Sequence, residues 1–166
     1  MAVWVGHQLR LPDSSFWARR IGTFPRYLFA SKEYQAKHKK IQEPERLAEH
    51  QCIRLMYKEP LSNWDLRRGR EHKTVTTSGA ATANSVGMLA RFSKEGMGIA
   101  QLPDFLAAHP GFGGGLVRVL TDWEATPAHL FAVTPSELQP KRVRRLASFM
   151  KGNFEAALNE ITASSK

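Results

Sequence analysis

One cysteine, Cys52, in 166 residues leaves nothing for it to bridge within the chain. That excludes the disulfide-stapled scaffolds of small secreted proteins and is compatible with a reducing compartment. No run of about 18 or more apolar residues is present, and no charged start, apolar middle and small-residue cleavage site is found. The expectation is a cytoplasmic globular protein. Acidic residues are few, 15 against 24 Lys and Arg, for a formal charge of +9. The usual catalytic signatures are missing too: no G-x-S-x-G elbow, no H-E-x-x-H pair, no C-x-x-C and no phosphate-binding G-x-x-x-x-G-K-[ST] loop. The six histidines show no metal-ligand spacing. Neither an enzyme, a metal nor a cofactor is expected.

A basic surface attracts phosphate backbones, so the charge invites a nucleic-acid reading. The excess lies toward the first half of the chain without forming one long block. Its clusters are short: Lys37 to Lys40 complements the end of a helix that starts after Ser31, and Arg67 to Arg70 runs into a hairpin tip of Arg68-Gly69-Arg70-Glu71. A nucleic-acid-binding protein using the Arg67 to Lys73 hairpin and the lysines at 37 to 40 is therefore the alternative reading.

With 42% hydrophobic residues, the chain can bury one good core or two small lobes. Ala2 to Val5, closed by Gly6, suits a buried strand. Phe16 to Gly22 and Tyr27 to Ala30 read as two extended segments joined by Thr23-Phe24-Pro25. Pro44 opens a short helix ending near His50, and Cys52 to Leu55 is the strand after it, with Cys52 a small core residue. Asn63 to Arg67 and Thr74 to Thr77 form a hairpin. A strand ending near Ala83 leads through Asn84-Ser85 into a helix carrying Val86, Leu89 and Phe92 on one face. Gly96 ends that helix, and Ile99 to Leu102 returns as a strand stopped by Pro103. Strand, helix, strand with short connections is a βαβ unit, which implies a parallel sheet and the α/β class. Leu116 to Leu120 and His129 to Val133 are further strands, and Pro140 opens an amphipathic helix with Val143, Leu146, Phe149, Met150, Phe154, Leu158 and Ile161 along one stripe.

In open parallel sheets, ligands settle beyond the carboxyl ends of the strands, where helix N-termini offer unpaired N–H groups. Asn84 and Ser85 occupy such a position. They either hold a small anion such as a carboxylate or merely cap the helix, and the sequence alone leaves both readings open.

The motifs in order resemble the effector-binding domain of LysR-type transcription regulators. They are Val5-Gly6, Leu11-Pro12-Asp13-Ser14-Ser15, Ala18 to Gly22, Leu28-Phe29-Ala30-Ser31 with Tyr34, Pro44, Leu47, His50 and Cys52 to Leu55. They continue through the Trp64 to Gly69 hairpin, Thr82-Ala83-Asn84, Gly96 to Phe105, Leu116 to Leu120 and Asp122-Trp123. The resemblance covers nearly the whole chain and is specific through order and spacing. It implies a fold like type II periplasmic binding proteins, two lobes joined by two crossing segments near Gly22 to Phe29 and Leu120 to Ala128. Residues 1–25 and 120–166 would form a partial first lobe and residues 26–119 the second. A small-molecule effector would lie in the cleft, met by Gly6, His7, Asn84, Ser85, Gln101, Leu102 and Pro103. No helix-turn-helix is present in these 166 residues, so DNA would be reached only through a domain absent from them. A homo-oligomer is expected. Ala2 to Val5, left as a sheet edge by an incomplete first lobe, is expected to pair with a second chain or to lower solubility. Trp4 replaces the family's usual Arg and Ser85 its usual Asp, which implies an effector preference different from that of common relatives.

Overall fold

A computed structural model describes residues 2–6, 16–56, 59–79, 81–135 and 140–164. The chain clusters into two compact units, one of residues 25–126 and the other of residues 1–24 with 127–166. Both boundaries fall inside long strands, β2 (Trp17–Ala30) and β9 (Glu124–Thr134), so each of these strands contributes to both units.

In the larger unit, β3 (Cys52–Leu55) runs parallel to β6 (Thr82–Ala83) on one side and to β7 (Ile99–Pro103) on the other. The last residues of β2 are antiparallel to β7 and to β8 (Val117–Val119). Successive strand residues point to opposite faces, and here both faces are apolar. Leu28, Ala30, Cys52 and Ile99 enter one core cluster with Leu47, Trp64, Leu66 and Trp123. Their neighbours Phe29, Ile53 and Ala100 enter another, covered by Leu89 and Ala90 of α2 (Val86–Lys94) and Ala107 of α3 (Asp104–Ala108). Each fully buried Leu or Ile here stabilises the fold by roughly 1.5–3 kcal/mol. The hairpin of β4 (Asn63–Arg68) and β5 (Glu71–Thr76) joins the sheet through Leu66 and Arg67 opposite Ala125 and Glu124. Gly69, at φ 58°, permits its two-residue turn.

The return from α2 to β7 is tightly held. Gly98 lies at φ 153°, and a Cβ built there would stand 2.3 Å from the Gln51 carbonyl oxygen that accepts from the Ile99 N–H. The wholly buried Ser93 hydroxyl lies 3.1 Å and 3.0 Å from the Phe29 and Gly98 carbonyl oxygens and donates to them.

At the same end of the strands, α1 (Lys32–Lys37) is capped by the Ser31 hydroxyl, which accepts from the Tyr34 N–H. The Tyr34 hydroxyl accepts from the Gln51 N–H at 3.0 Å and lies 3.3 Å from Nδ1 of His50, which follows a 3-10 turn over Pro44–Glu49. The His38 ring stacks on Tyr34 at 4.0 Å. Burial, and secondarily His38, push the His50 pKa down; burial raises that of Tyr34.

In the smaller unit, β1 (Ala2–Gly6) is antiparallel to β9, Ala2 opposite Val133 and Gly6 opposite His129. Helix α4 (Lys141–Ser164) lays Ala147, Met150 and Phe154 on Ile21, Leu130 and Ala132. Gly22 leaves room for the Phe154 ring.

Four expectations need correction. Two extended segments joined by Thr23-Phe24-Pro25 are one continuous strand, in which Pro25 is exposed. The hairpin strands run to Arg68 and from Glu71, so its turn is tighter than the four-residue tip expected. The strand expected to stop at Pro103 leads straight into Asp104–Ala108, a short helix where no element was assigned. In α4, Leu146 and Phe149 are 47% and 67% exposed and do not share the packed stripe, which runs through Val143, Ala147, Met150 and Phe154. At 100° per residue, Phe149 sits well away from Met150, and Ala147 takes the core position because its small side chain suits close approach to the sheet. Leu158 and Ile161, and the turn at 11–15, lie outside the residues whose side chains are described.

Two stability predictions follow from this packing. Gly98→Ala is expected to lower the unfolding free energy by about 2–4 kcal/mol in urea titrations, because its φ and the Gln51 carbonyl both oppose a methyl. His50 has a depressed folded pKa, so its contribution is fully present above the unfolded value near 6.5 and is lost as pH falls through the lower folded value. Stability measured from pH 7.5 down to pH 5 should fall, and His50→Gln should make that fall shallower.

Candidate functional site

The parallel register decides which residues emerge together. Leu55 pairs with Ala83 and Ile53 with Ala100, and continuing the second ladder by two residues sets Leu102 level with Leu55. Asn84 and Pro103 therefore leave the sheet one residue beyond the same line, two strand spacings or about 10 Å apart. The Ala83 carbonyl accepts from the Met56 N–H at 2.8 Å, which fixes the point where the chain turns away. Asn84 and Ser85 are exposed in the bend before α2. Ser85 stands at the N-cap, its carbonyl accepting from the Leu89 N–H, yet its hydroxyl makes no capping hydrogen bond. This cluster presents an amide, an uncommitted hydroxyl and the first N–H groups of α2 on one edge. Such an arrangement favours an anion.

The remaining expected site residues fall as follows. Pro103 and half-buried Gln101 lie on β7, and Pro103 is the N-cap of α3. Leu102 is completely buried, so only its backbone faces the edge. Gly6 ends β1 opposite His129 in the smaller unit. His7 lies outside the described residues. The sequence reading missed Arg26 and Tyr27, which pair with Pro103 and Leu102 at the same edge. No local signal marked them, because only the antiparallel register of β2 against β7 brings them to this edge. The Arg26 Nε–H donates to the Thr126 carbonyl at 2.7 Å, and the Arg118 guanidinium lies 3.7 Å over the Tyr27 ring.

The basic clusters have their own surroundings. Lys73 is 2.9 Å from Glu45, 3.4 Å from Glu43 and 3.5 Å from Glu71, while Arg68 is 2.9 Å from Glu71 and 3.7 Å from Glu43. The hydrogen bond with Lys73 holds the Glu45 carboxyl below its ordinary value, and that with Arg68 does the same for Glu71. Both cations also lie over the Trp123 ring, at 4.6 Å and 5.3 Å. These cations are matched locally and are not a free phosphate-binding row. Beside them a cavity of about 700 Å³ is lined by Lys39, Lys40, Arg68, Arg118 and Trp123, and Glu43 and Asp122 offset part of its positive charge.

Cys52 is buried, its thiol donates to the Leu47 carbonyl, and burial pushes its pKa up to about 12, so it is a packing residue. Among the described residues, no group of three or more His, Cys, Asp or Glu could hold a metal ion. Among the same residues, no helix is long and apolar enough to cross a membrane.

Comparison with known proteins agrees with this architecture. The family described as LysR substrate binding domain matches residues 1–155. The HTH-type transcriptional regulator PtxR of Pseudomonas aeruginosa is 32% identical over 133 residues, covering 80% of this chain and 43% of that protein. The regulatory domain of AphB from Vibrio vulnificus superposes with a TM-score of 0.67 at 29% identity, over 92% of this chain and 73% of that one. The CrgA regulatory domain of Neisseria meningitidis, a LysR-type transcriptional regulator, gives a TM-score of 0.69 at 28% identity, over 91% and 74%. The chain spans less than half the length of PtxR. The relatives are transcriptional regulators, and the fold is that of their regulatory domains, like type II periplasmic binding proteins. With the family matched from residue 1 to residue 155, this chain belongs to the LysR substrate-binding domain family, the effector-binding domain of LysR-type transcription regulators.

Proposed function

We propose that this chain senses a small anionic metabolite, a carboxylate, at the edge where Asn84, Ser85, Gln101 and Pro103 emerge. The observation that carries this reading is the exposed Asn84-Ser85 bend at the N-terminus of α2, with the Ser85 hydroxyl unspent on capping. A carboxylate there would gain charge-assisted hydrogen bonds from the amide, the hydroxyl and the helix N–H groups. Leu102 contributes backbone, and Gly6 and His7 are the further effector contacts of this reading. In this reading residues 1–25 with 120–166 form the partial first lobe of the effector domain and residues 26–119 the second. The protein acts in the cytoplasm as a homo-oligomer and catalyses nothing itself. In the intact regulator, ligand binding favours one arrangement of the lobes and so alters contacts with DNA made by a domain outside these residues.

Calorimetric titration with benzoate and succinate, as aromatic and aliphatic carboxylates, tests the site. Asn84→Asp adds a negative charge where the anion would sit, but a carboxylate at a helix N-terminus leaves folding intact. The variant should keep its melting temperature and bind at least about tenfold more weakly, a loss of about 1.4 kcal/mol. Unchanged affinity would remove Asn84 from the site, and no binding of either probe would count against a carboxylate effector. A second prediction concerns the basic hairpin: on a random DNA duplex the chain should show no salt-sensitive retention, because Arg68 and Lys73 are already paired.

A further inference from the structure

The cavity beside Trp123 lies wholly within the larger unit and uses none of the residues of the effector edge. Its volume of about 700 Å³ falls within the range of about 300–1,000 Å³ usual for small-molecule sites. Its walls come from two separate segments, Tyr34 with the residues that follow α1, and the turn that leads out of β8. The Trp123 N–H closes that turn by donating to the Leu120 carbonyl at 2.8 Å, with Leu120 at φ 50°, a conformation a leucine rarely adopts.

Two properties of the lining define what it can hold. The first is charge. Glu43 is already shared by Arg68 at 3.7 Å and Lys73 at 3.4 Å. Lys39, Lys40 and Arg118 form no ion pair among the described residues, so these three cations face Asp122 alone. The second is unspent donors. Among the described residues three buried side-chain nitrogens lack a hydrogen-bond partner, and two of them, Trp123 Nε1 and Arg118 Nε, belong to residues of this lining. Trp123 is 1% exposed and its ring is held under Arg68 and Lys73, so its N–H cannot turn to solvent. Arg118 is held by donating to the Thr121 carbonyl at 2.9 Å and by the Tyr27 ring. A buried donor left without an acceptor costs free energy, which a ligand rich in acceptors recovers.

We propose that this cavity binds a small phosphorylated metabolite, a phosphate monoester of about sugar-phosphate size, through Lys39, Lys40, Arg118 and Trp123. A phosphate monoester brings three acceptor oxygens and a charge of about −1.5 to −2 at pH 7. A carboxylate brings two oxygens and a single charge, a poorer match to three cations and two free N–H groups. Gln42 and the Asp122 carboxylate suit hydroxyl groups on the body of the ligand. The site is independent of the carboxylate reading of the Asn84 edge.

The assigned ¹⁵N spectrum of the full chain, titrated separately with ribose 5-phosphate, inorganic phosphate and ribose, tests the assignment. Ribose 5-phosphate should give saturable shifts at the Trp123 indole N–H and at the amides of residues 38–43 and 118–123, inorganic phosphate the same shifts with weaker affinity, and ribose none. Saturating succinate should leave these shifts in place. Replacing both lysines, Lys39→Glu with Lys40→Glu, should weaken ribose 5-phosphate at least about tenfold, while thermal melts hardly change because both side chains are exposed. Shifts that are absent, that ribose reproduces or that gather on residues 83–88 would overturn the proposal. So would inorganic phosphate binding as tightly as the sugar phosphate, or an affinity untouched by the double substitution.

Discussion

Strand β3 has parallel neighbours on both sides, and its residues alternate between two apolar clusters, Cys52 into one and Ile53 into the other. A one-residue slip would exchange the faces of the whole strand, so burial on both sides pins the register. From that register follows the common level at which Asn84 and Pro103 leave the sheet. The constraint is reinforced where β7 begins: Gly98 admits the Gln51 carbonyl, and the buried Ser93 hydroxyl satisfies the carbonyls of Phe29 and Gly98. Both features lie at the end of the strands opposite to the ligand edge, so the rigid part of the unit supports an edge at which Asn84 and Ser85 are exposed.

Electrostatics separates the possible partners. A charge of +9 read as a total suggests a polyanion, but the charges act locally. Lys73 has three carboxylates within 3.5 Å and Arg68 has two within 3.7 Å, so the hairpin contributes little net field beyond its own surface. The edge at Asn84-Ser85 has no carboxylate in its bend, and its donors are fixed dipoles of the helix start. Fixed dipoles suit a single small anion better than an extended phosphate backbone.

The fold was legible in the sequence where local chemistry and tertiary packing agree. Ser31 capping α1, the 3-10 turn at Pro44, the βαβ passage from Thr82 to Leu102 and Gly96 at φ 78° beyond α2 all could be read from residue type and spacing. Their order carried the family resemblance as well. Strand β2 was misread because Pro25 signals a break, whereas an exposed proline that owes no N–H to a neighbour is tolerated in a long strand. The α4 stripe was misread because hydrophobicity alone assigned Leu146 and Phe149 to the core, and a periodicity of three and four describes two adjacent faces of a helix equally well. Arg26 and Tyr27 could not be placed at the ligand edge before the antiparallel register of β2 against β7 was known.

Amide chemical-shift mapping of the ¹⁵N-labelled chain, titrated with benzoate and then with succinate, tests the assigned edge most directly. The account predicts that the largest perturbations gather on residues 83–88 and 101–105, where the ends of β6 and β7 meet the starts of α2 and α3. Perturbations confined to residues 38–43 and 120–123, around the cavity beside Trp123, would contradict it.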